Sequence, residues 1–277
     1  MVSRRARDPA LREPLLQGAL PLAVLLVLFL YPVLRFLSIS VEGASFANYD
    51  KALFDGLYLG VLTDTFRIAL IVTAITLVLG YPVAWFLTTA PPRWAAIGLV
   101  FLILPFWTSV LIRTYAWSVI LGRNGVINRA LLDSGVIEEP LRLLNNELGV
   151  LIGMVHVLLP YMVFPIYAVM RRQDPTLLLA SSGLGASGPQ TFVRVFLPLT
   201  VPGILAGTTL VFVLSLGFFI TPAILGGGKV TMIAVLIEQQ VRGLSNWPFA
   251  AALSAVLLAA ALAMYGLLSI TLRARQA

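Results

Sequence analysis

Few residues of this chain can do chemistry. The 277 residues include no cysteine and one histidine, His156, against 19 Lys and Arg and 12 Asp and Glu. A disulfide framework, a thiolate zinc site and a cysteine nucleophile are therefore excluded, and a histidine-rich metal site with them. His156 falls in an apolar stretch without a neighbouring carboxylate, so it reads as a hydrogen-bonded packing residue rather than a proton relay. No Gly-rich Lys-Ser/Thr phosphate loop occurs, so ATP is not bound by that device. No catalytic residue, metal or cofactor is expected. The remaining candidates act without covalent chemistry. Arg113 stands among Trp107, Tyr115 and Trp117. Phe218 and Phe219 precede Thr221-Pro222. The segment 171–199 is apolar and punctuated by Gly and Pro.

The elements that must position these residues follow from composition. The chain is 59% hydrophobic and 11% charged, with mean hydropathy +0.95. A soluble domain carries about 25% charged residues, so this chain lacks the polar surface to face water all round. It reads as a polytopic membrane protein, not a soluble enzyme or a disordered chain. A strand-built outer-membrane barrel would alternate apolar and polar residues, and this chain does not. A bilayer core takes about 20 apolar residues per helix. Six segments qualify: 17–39, 66–90, 95–121, 148–170, 200–225 and 248–272. The opening stretch is basic and then apolar, but its apolar run is too long for a signal peptide, and Tyr31, Pro32 and Arg35 follow where a cleavage site would be. It reads as an uncleaved first span, preceded by a tail, 1–16, and with a second tail at 273–277.

Net charge is +7 and the pI about 10.1. The charges cluster at the ends of apolar segments, which fits positive-inside orientation better than a nucleic-acid partner. With both termini in the cytoplasm, Arg4, Arg5, Arg7, Arg12, Arg93, Arg171, Arg172, Arg194, Arg273 and Arg275 lie inside. Only Asp8, Glu13 and Asp174 join them among the acids. The expectation is a multi-pass protein of a bacterial inner (plasma) membrane, N-in and C-in.

Segment 171–199 is then the longest cytoplasmic loop, and its composition is not that of disorder. It carries Leu177, Leu178, Leu179, Leu184, Phe192, Val195, Phe196 and Leu197. Pro175 suits the first turn of a helix, glycines at 183, 185 and 188 break it, and Ser187 with Pro189 starts a second. Pro198 and Pro202 mark entry to the fifth span. Two short helices about a glycine elbow make an apolar knob, and an apolar knob in water needs a partner protein.

This loop resembles the "EAA" loop of permease subunits in binding-protein-dependent ABC importers, EAA-x3-G-x9-I-x-LP. Ala180 matches the first alanine, Ser181 stands for the second, Gly185 is the glycine, Val195 stands for the isoleucine, and Leu197-Pro198 close the motif. Leu179 stands where the family has a glutamate. The resemblance runs from about residue 60 to the C-terminus. It is closest to spermidine/putrescine-type permeases, through Pro105–Trp117, Gly125–Asn128, Leu159–Tyr167 and Asn246–Ser254.

The resemblance implies an all-α membrane protein of six transmembrane helices with the type I ABC importer permease fold, its permease domain at 60–272 and a peripheral first span. It implies two ATPase subunits, a second permease subunit in a heterodimer, and an extracytoplasmic solute-binding protein. It assigns ATPase coupling to Leu179, Ala180, Ser181, Gly185, Leu197 and Pro198. It brings the region of Phe218 and Phe219 to the pore axis, and with Trp107, Arg113 and Tyr115 these are the candidates for the translocation path. The solute it implies is a polyamine, with a ferric ion, an opine-like compound or a phosphonate as alternatives.

Other readings stay open from the residues alone. Arg113 either snorkels to headgroups amid an aromatic belt or lines the path. Phe218 and Phe219 either gate or pack. Residues 231–241 read as a short amphipathic helix at the outer surface, either scaffold or binding-protein contact. An ion-coupled secondary transporter would need midplane ionisable groups and an internal repeat, and neither is evident.

Overall fold

The computed structural model describes residues 21–41 and 46–274, with side chains through residue 266. Residues 1–16, 17–20 of the first span and 275–277 lie outside the described residues. Every regular element described is helical. In chain order these are α1, Pro21–Ile39; α2, Ala47–Phe54; α3, Gly56–Thr89; α4, Pro92–Ile103, prolonged by a 3-10 turn at Leu104–Trp107; α5, Val110–Ile120; and α6, Val126–Asp133. Then follow α7, Glu147–Met170; α8, Pro175–Gly183; α9, Gly188–Leu216; α10, Ile220–Leu225; α11, Ile233–Arg242; and α12, Trp247–Ala274.

Among the described residues, α1, α3, α7, α9 and α12 are long and apolar enough to cross a bilayer singly. The expected third span is a broken one. The two pieces, Pro92–Trp107 and Val110–Ile120, meet at 104°, so six spans are reached only by counting this bent pair as one. The break has a local cause. Pro105 tightens the end of α4, Thr108 is extended, and the Ser109 side chain accepts the Leu111 N–H to start α5 afresh.

The expected fifth span, 200–225, is also corrected. Its helix begins at Gly188, ends at Leu216, and gives way at Gly217–Phe219 to the separate α10. The second helix of the 171–199 segment is thus the first turns of a spanning helix. Pro198 does not interrupt it, because a π turn at Phe192–Phe196 precedes it. The Leu197 N–H reaches five residues back to the Phe192 carbonyl. Widening one turn spares the proline ring its clash with the preceding turn. The same device sits before Pro32 in α1, where the Tyr31 N–H bonds Leu26 O.

At the centre, α7 lies between α3 and α9. Ile68, Val72, Met154, Leu158, Met162 and Ile166 form its fully buried packing. Lipid tails are as apolar as leucine, so helices in a bilayer are held by close fit rather than by escape from water. Gly203 and Gly207 supply that fit. A Cβ at Gly203 would stand 3.0 Å from the Ile166 Cα and from the Pro165 carbonyl, and one at Gly207 3.0 Å from the Met162 carbonyl. The stretch Gly203-Ile-Leu-Ala-Gly207 is a GxxxG face, a feature absent from the sequence-based expectations.

α3 and α7 run parallel. Arg67, a third of the way along α3, makes two hydrogen bonds to Glu147 at the start of α7, 2.9 and 2.8 Å, and Thr88 lies against Met170 at their far ends. The turn at Ala90-Pro91 and the segment 171–187 therefore share the Met170 end. α2 and α11 pack on α12 near the Glu147 end. α1 packs on α12 and carries no buried residue.

Candidate docking knob and translocation path

The knob is built from its caps inward. The exposed Asp174 carboxylate accepts the Thr176 N–H at 2.9 Å, and Pro175 follows as the first helical residue of α8. That backbone hydrogen bond, and then one from the Thr176 side chain, hold the Asp174 carboxyl below its usual range. α8 stops at Gly183. Gly185 sits at φ +84°, a left-handed conformation that favours glycine, and turns the chain. The Ser187 N–H donates to the Gln190 side chain at 3.0 Å to begin α9. The Ser181 and Thr191 hydroxyls, 2.9 Å apart, tie the two helices.

One side of this elbow faces inward. Leu178 and Phe192 pack against the core, and the Phe192 ring meets Tyr81, Trp85 and Phe196 at 5.7–6.3 Å. The other side is bare: Leu184 is 90% exposed and Leu179 71%. The six residues singled out for this region separate into two places. Leu179, Ala180, Ser181 and Gly185 lie together on α8 and the elbow. Leu197 and Pro198 lie in α9 beyond the π turn, and Pro198 is exposed.

The second candidate region gathers about the broken span. Trp107, at its bend, is 87% exposed. Its neighbour Phe106 turns inward to Tyr161 and Phe164 of α7, ring centres 5.2 and 5.9 Å away. α5 packs on α10 through the buried Thr114 and Thr221, whose hydroxyls lie 3.1 Å apart. Arg113 and Tyr115 flank Thr114, and Phe218 and Phe219 enter α10 from the break after α9. The structure thus brings α5 and the 218–219 break together by one hydrogen bond. Tyr115 is 56% exposed and Phe219 40%.

His156 is corrected in one respect. Its ring packs edge-on against Trp117 at 5.5 Å, but its buried Nδ1 has no hydrogen-bond partner. His156 and Trp117 line a mostly apolar cleft of about 360 Å³ with Ile75, Leu79 and Val155. The expected amphipathic helix is present as α11, docked rather than lying free. Met232, Ile233 and Val235 are buried, and the Ile233 N–H donates to Thr65 Oγ1 at 2.8 Å.

Thr114 and Thr221 escape sequence reading, because lone threonines in apolar runs carry no motif. Among the described residues no cluster of His, Cys, Asp and Glu could hold a metal.

A bundle of apolar helices with one broken span and a bare apolar knob at one end is the architecture of an integral membrane protein built to dock a partner at one end. Comparison with known proteins places it further. No family model matches the chain. It is 44% identical over 210 residues to the spermidine/putrescine transport system permease protein PotB of Escherichia coli (strain K12), covering 76% of each chain. It is 41% identical over 207 residues to the protein of the same name from Haemophilus influenzae, covering 75% of this chain and 72% of that one. Among solved structures, a chain in the crystal structure of a bacterial alginate ABC transporter in complex with an alginate pentasaccharide-bound periplasmic protein superposes with TM-score 0.71 at 17% identity, covering 94% of both. The chain belongs to the ABC importer permease family, in its spermidine/putrescine-type group.

Proposed function

We propose that this permease moves a polyamine of the spermidine/putrescine class, received from an extracytoplasmic binding protein, and that the α8 elbow seats in a partner ATPase subunit. The names of its relatives support the solute class. The bare Leu179 and Leu184 on a capped, hydroxyl-tied elbow carry the docking reading. With leucine in the family's glutamate position, the contact there is apolar. ATP hydrolysis belongs to the partner, and two such ATPases serve a pair of permeases.

The Met170 end is assigned to the cytoplasm. Arg93, Arg171, Arg172 and Arg194 lie there with Asp174 as the one acid among the described residues. Toward the other end Lys51, Arg67, Arg123, Arg129, Arg142, Lys229 and Arg242 are offset by Asp50, Asp55, Asp64, Asp133, Glu138, Glu139, Glu147 and Glu238, so the net positive charge is at the Met170 end. Both termini are then inside, in a bacterial inner membrane.

Transport follows as motion of a linked body. ATP draws the two ATPases together, and a knob held in each moves with them. α8 is tied to α9, α9 is locked to α7 by Gly203 and Gly207, and α7 and α10 carry α5. A displacement at the elbow therefore reaches Trp107, Arg113, Tyr115, Phe218 and Phe219 through packed contacts. The two positions are the two faces of alternating access.

The test is reconstitution. The full complex in proteoliposomes, with binding protein and radiolabelled spermidine, should take up spermidine only with ATP. Leu184→Glu should release the ATPase subunits while this chain stays in the membrane. Uptake driven by an ion gradient without ATP, or an ATPase retained at full yield by Leu184→Glu, would overturn the reading.

A further inference from the structure

Arg113, half-buried on α5, meets no counter-charge among the described residues. Arg113 lies one turn from Trp117 on α5, within electrostatic reach of His156 and Tyr161 on α7. At 1.5 Å per residue those two stand roughly 14 and 21 Å along α7 from Glu147, and 21 and 14 Å from Met170. Arg113 is thus near mid-depth. Its Nε is buried without a hydrogen-bond partner, as is the Nδ1 of His156. Arg67 pairs with Asp64 and Glu147, and Arg242 with Glu238; neither of these ion-paired groups includes Arg113.

An arginine at that depth faces a water-filled cavity, a backbone carbonyl or a counter-charge, and a counter-charge holds it most firmly. Four sources could supply one. Lipid phosphate is out of reach, because an extended arginine side chain is much shorter than the distance to either end of α7. The described residues of this chain offer nothing: of their Asp and Glu the one furthest into a spanning helix is Asp64, already bonded to Arg67. A second copy of this chain would bring the same described acids to the same depths, and so they offer nothing from there either. The proposed solute is itself a cation. What is left is a different polypeptide in the membrane.

The surface around Arg113 suits one. Ile112 is 65% exposed, and Leu111, Tyr115 and Trp107 beside it are also uncovered. Together they make an apolar border around a single buried donor. We infer that the second permease subunit presents an Asp or Glu side chain to Arg113 across this face, and that the pair selects a heterodimer over a homodimer. The inference rests on the reading above that the chain works as half of a permease pair. A guanidinium meets a carboxylate through two parallel hydrogen bonds, and in a dry interface that fork fixes register as well as pairing.

The test uses the whole importer, co-expressed with a tag on the second permease. Wild-type chain should be recovered with it. Arg113→Met leaves the partner's carboxylate buried and unpaired, and should lower recovered heterodimer at least tenfold while the level of this chain in the membrane is unchanged. Arg113→Lys keeps the charge without the fork and should give an intermediate yield, which guards against a simple folding defect in the methionine variant. Changing the membrane carboxylates of the second permease one at a time to Asn or Gln should identify one that restores both yield and uptake to Arg113→Met. Recovery of Arg113→Met at the wild-type yield overturns the pairing, and does so equally if the KM for spermidine then shifts, which would put the charge on the solute path. Failure of the wild-type chain to recover any second permease overturns the permease-pair reading, and the pairing falls with it.

Discussion

Thr221 donates its hydroxyl proton to Thr114 across 3.1 Å, between two helices that the sequence reads as parts of separate spans. The direction follows from a second bond. Thr114 gives its own proton to the Val110 carbonyl at 2.8 Å, so it can only accept from Thr221. Both residues are buried, and a Cβ at Gly153 would press on the Thr221 methyl. The contact is therefore narrow and dry. The two substitutions to valine should differ. Thr114→Val strands the Thr221 donor and should cost about 1–3 kcal/mol. Thr221→Val leaves Thr114 bonded to Val110 and should cost less. The double variant should lie near Thr221→Val. Thermal unfolding of the three variants in detergent checks the order, and equal losses for both single variants would contradict it.

Gly185 gives a sharper test of the knob. Its φ of +84° penalises any β-branched residue, although a Cβ at this position would meet no atom within 4 Å and so no clash intervenes. The effect of substitution is conformational alone. Asn visits the left-handed region at small cost, and Val does not. Gly185→Asn should keep most of the spermidine uptake, whereas Gly185→Val should lose it with the chain still present in the membrane. Uptake in proteoliposomes, set against the amount of chain incorporated, distinguishes them. Equal activity of the two would show that the elbow's angle does not matter.

Much of this molecule is legible in its residues because the bilayer imposes a length. The spans at 148–170 and 248–272 fall within a few residues of α7 and α12. The elbow at 171–199 is legible through Pro175, Gly185 and Ser187, each of which has one favoured place in a helix cap or turn. The broken third span is not. Its residues 95–121 are apolar on both sides of the bend, and hydropathy reports transfer into lipid rather than direction. Only Pro105 and Ser109 mark the break, and both are also tolerated in continuous spanning helices. The full length of α9 is hidden for the opposite reason. Pro198 and Pro202 read as the entry to the fifth span, but the helix already runs through them: a π turn absorbs the first, and such turns leave no composition signal. Pairs such as Thr114 with Thr221 depend on how helices lie against each other, which one helix's periodicity does not contain.

The GxxxG face makes a graded prediction. At Gly203 an added Cβ meets backbone atoms of α7, which cannot move aside singly. At Gly207 its nearest atom is the Met162 sulfur at 2.9 Å, the mobile end of a side chain, with the Met162 carbonyl at 3.0 Å. Gly203→Ala should therefore destabilise by about 1–3 kcal/mol, and Gly207→Ala by less. Gly60, in α3, has open space where its Cβ would be. Gly60→Ala should instead stabilise by about 0.5–1 kcal/mol through helix propensity. Midpoints of thermal unfolding give the ranking, and a Gly203→Ala variant as stable as Gly60→Ala would remove the close-fit account of α7 with α9.

Asp174 links the knob to pH. Its carboxyl is held below the usual value of about 3.9, mainly by the Thr176 N–H and then by the Thr176 side chain. A folded-state pKa below the unfolded one means that the cap's contribution is fully present above about pH 3.9 and is lost as pH falls through the lowered value. The start of α8 should thus be insensitive to pH from neutrality down to about 4, then fray on further acidification. Asparagine keeps a side-chain oxygen for the Thr176 N–H and has no proton to gain. Protection of the amides at 176–178 against hydrogen exchange, corrected for the intrinsic rate, should fall below pH 4 in the wild type and stay level in Asp174→Asn. Because Asp174 is exposed, added salt should blunt the charged part of the effect and leave the asparagine variant unchanged. A fall in protection between pH 7 and 5 in both proteins would place the titrating group elsewhere in the elbow.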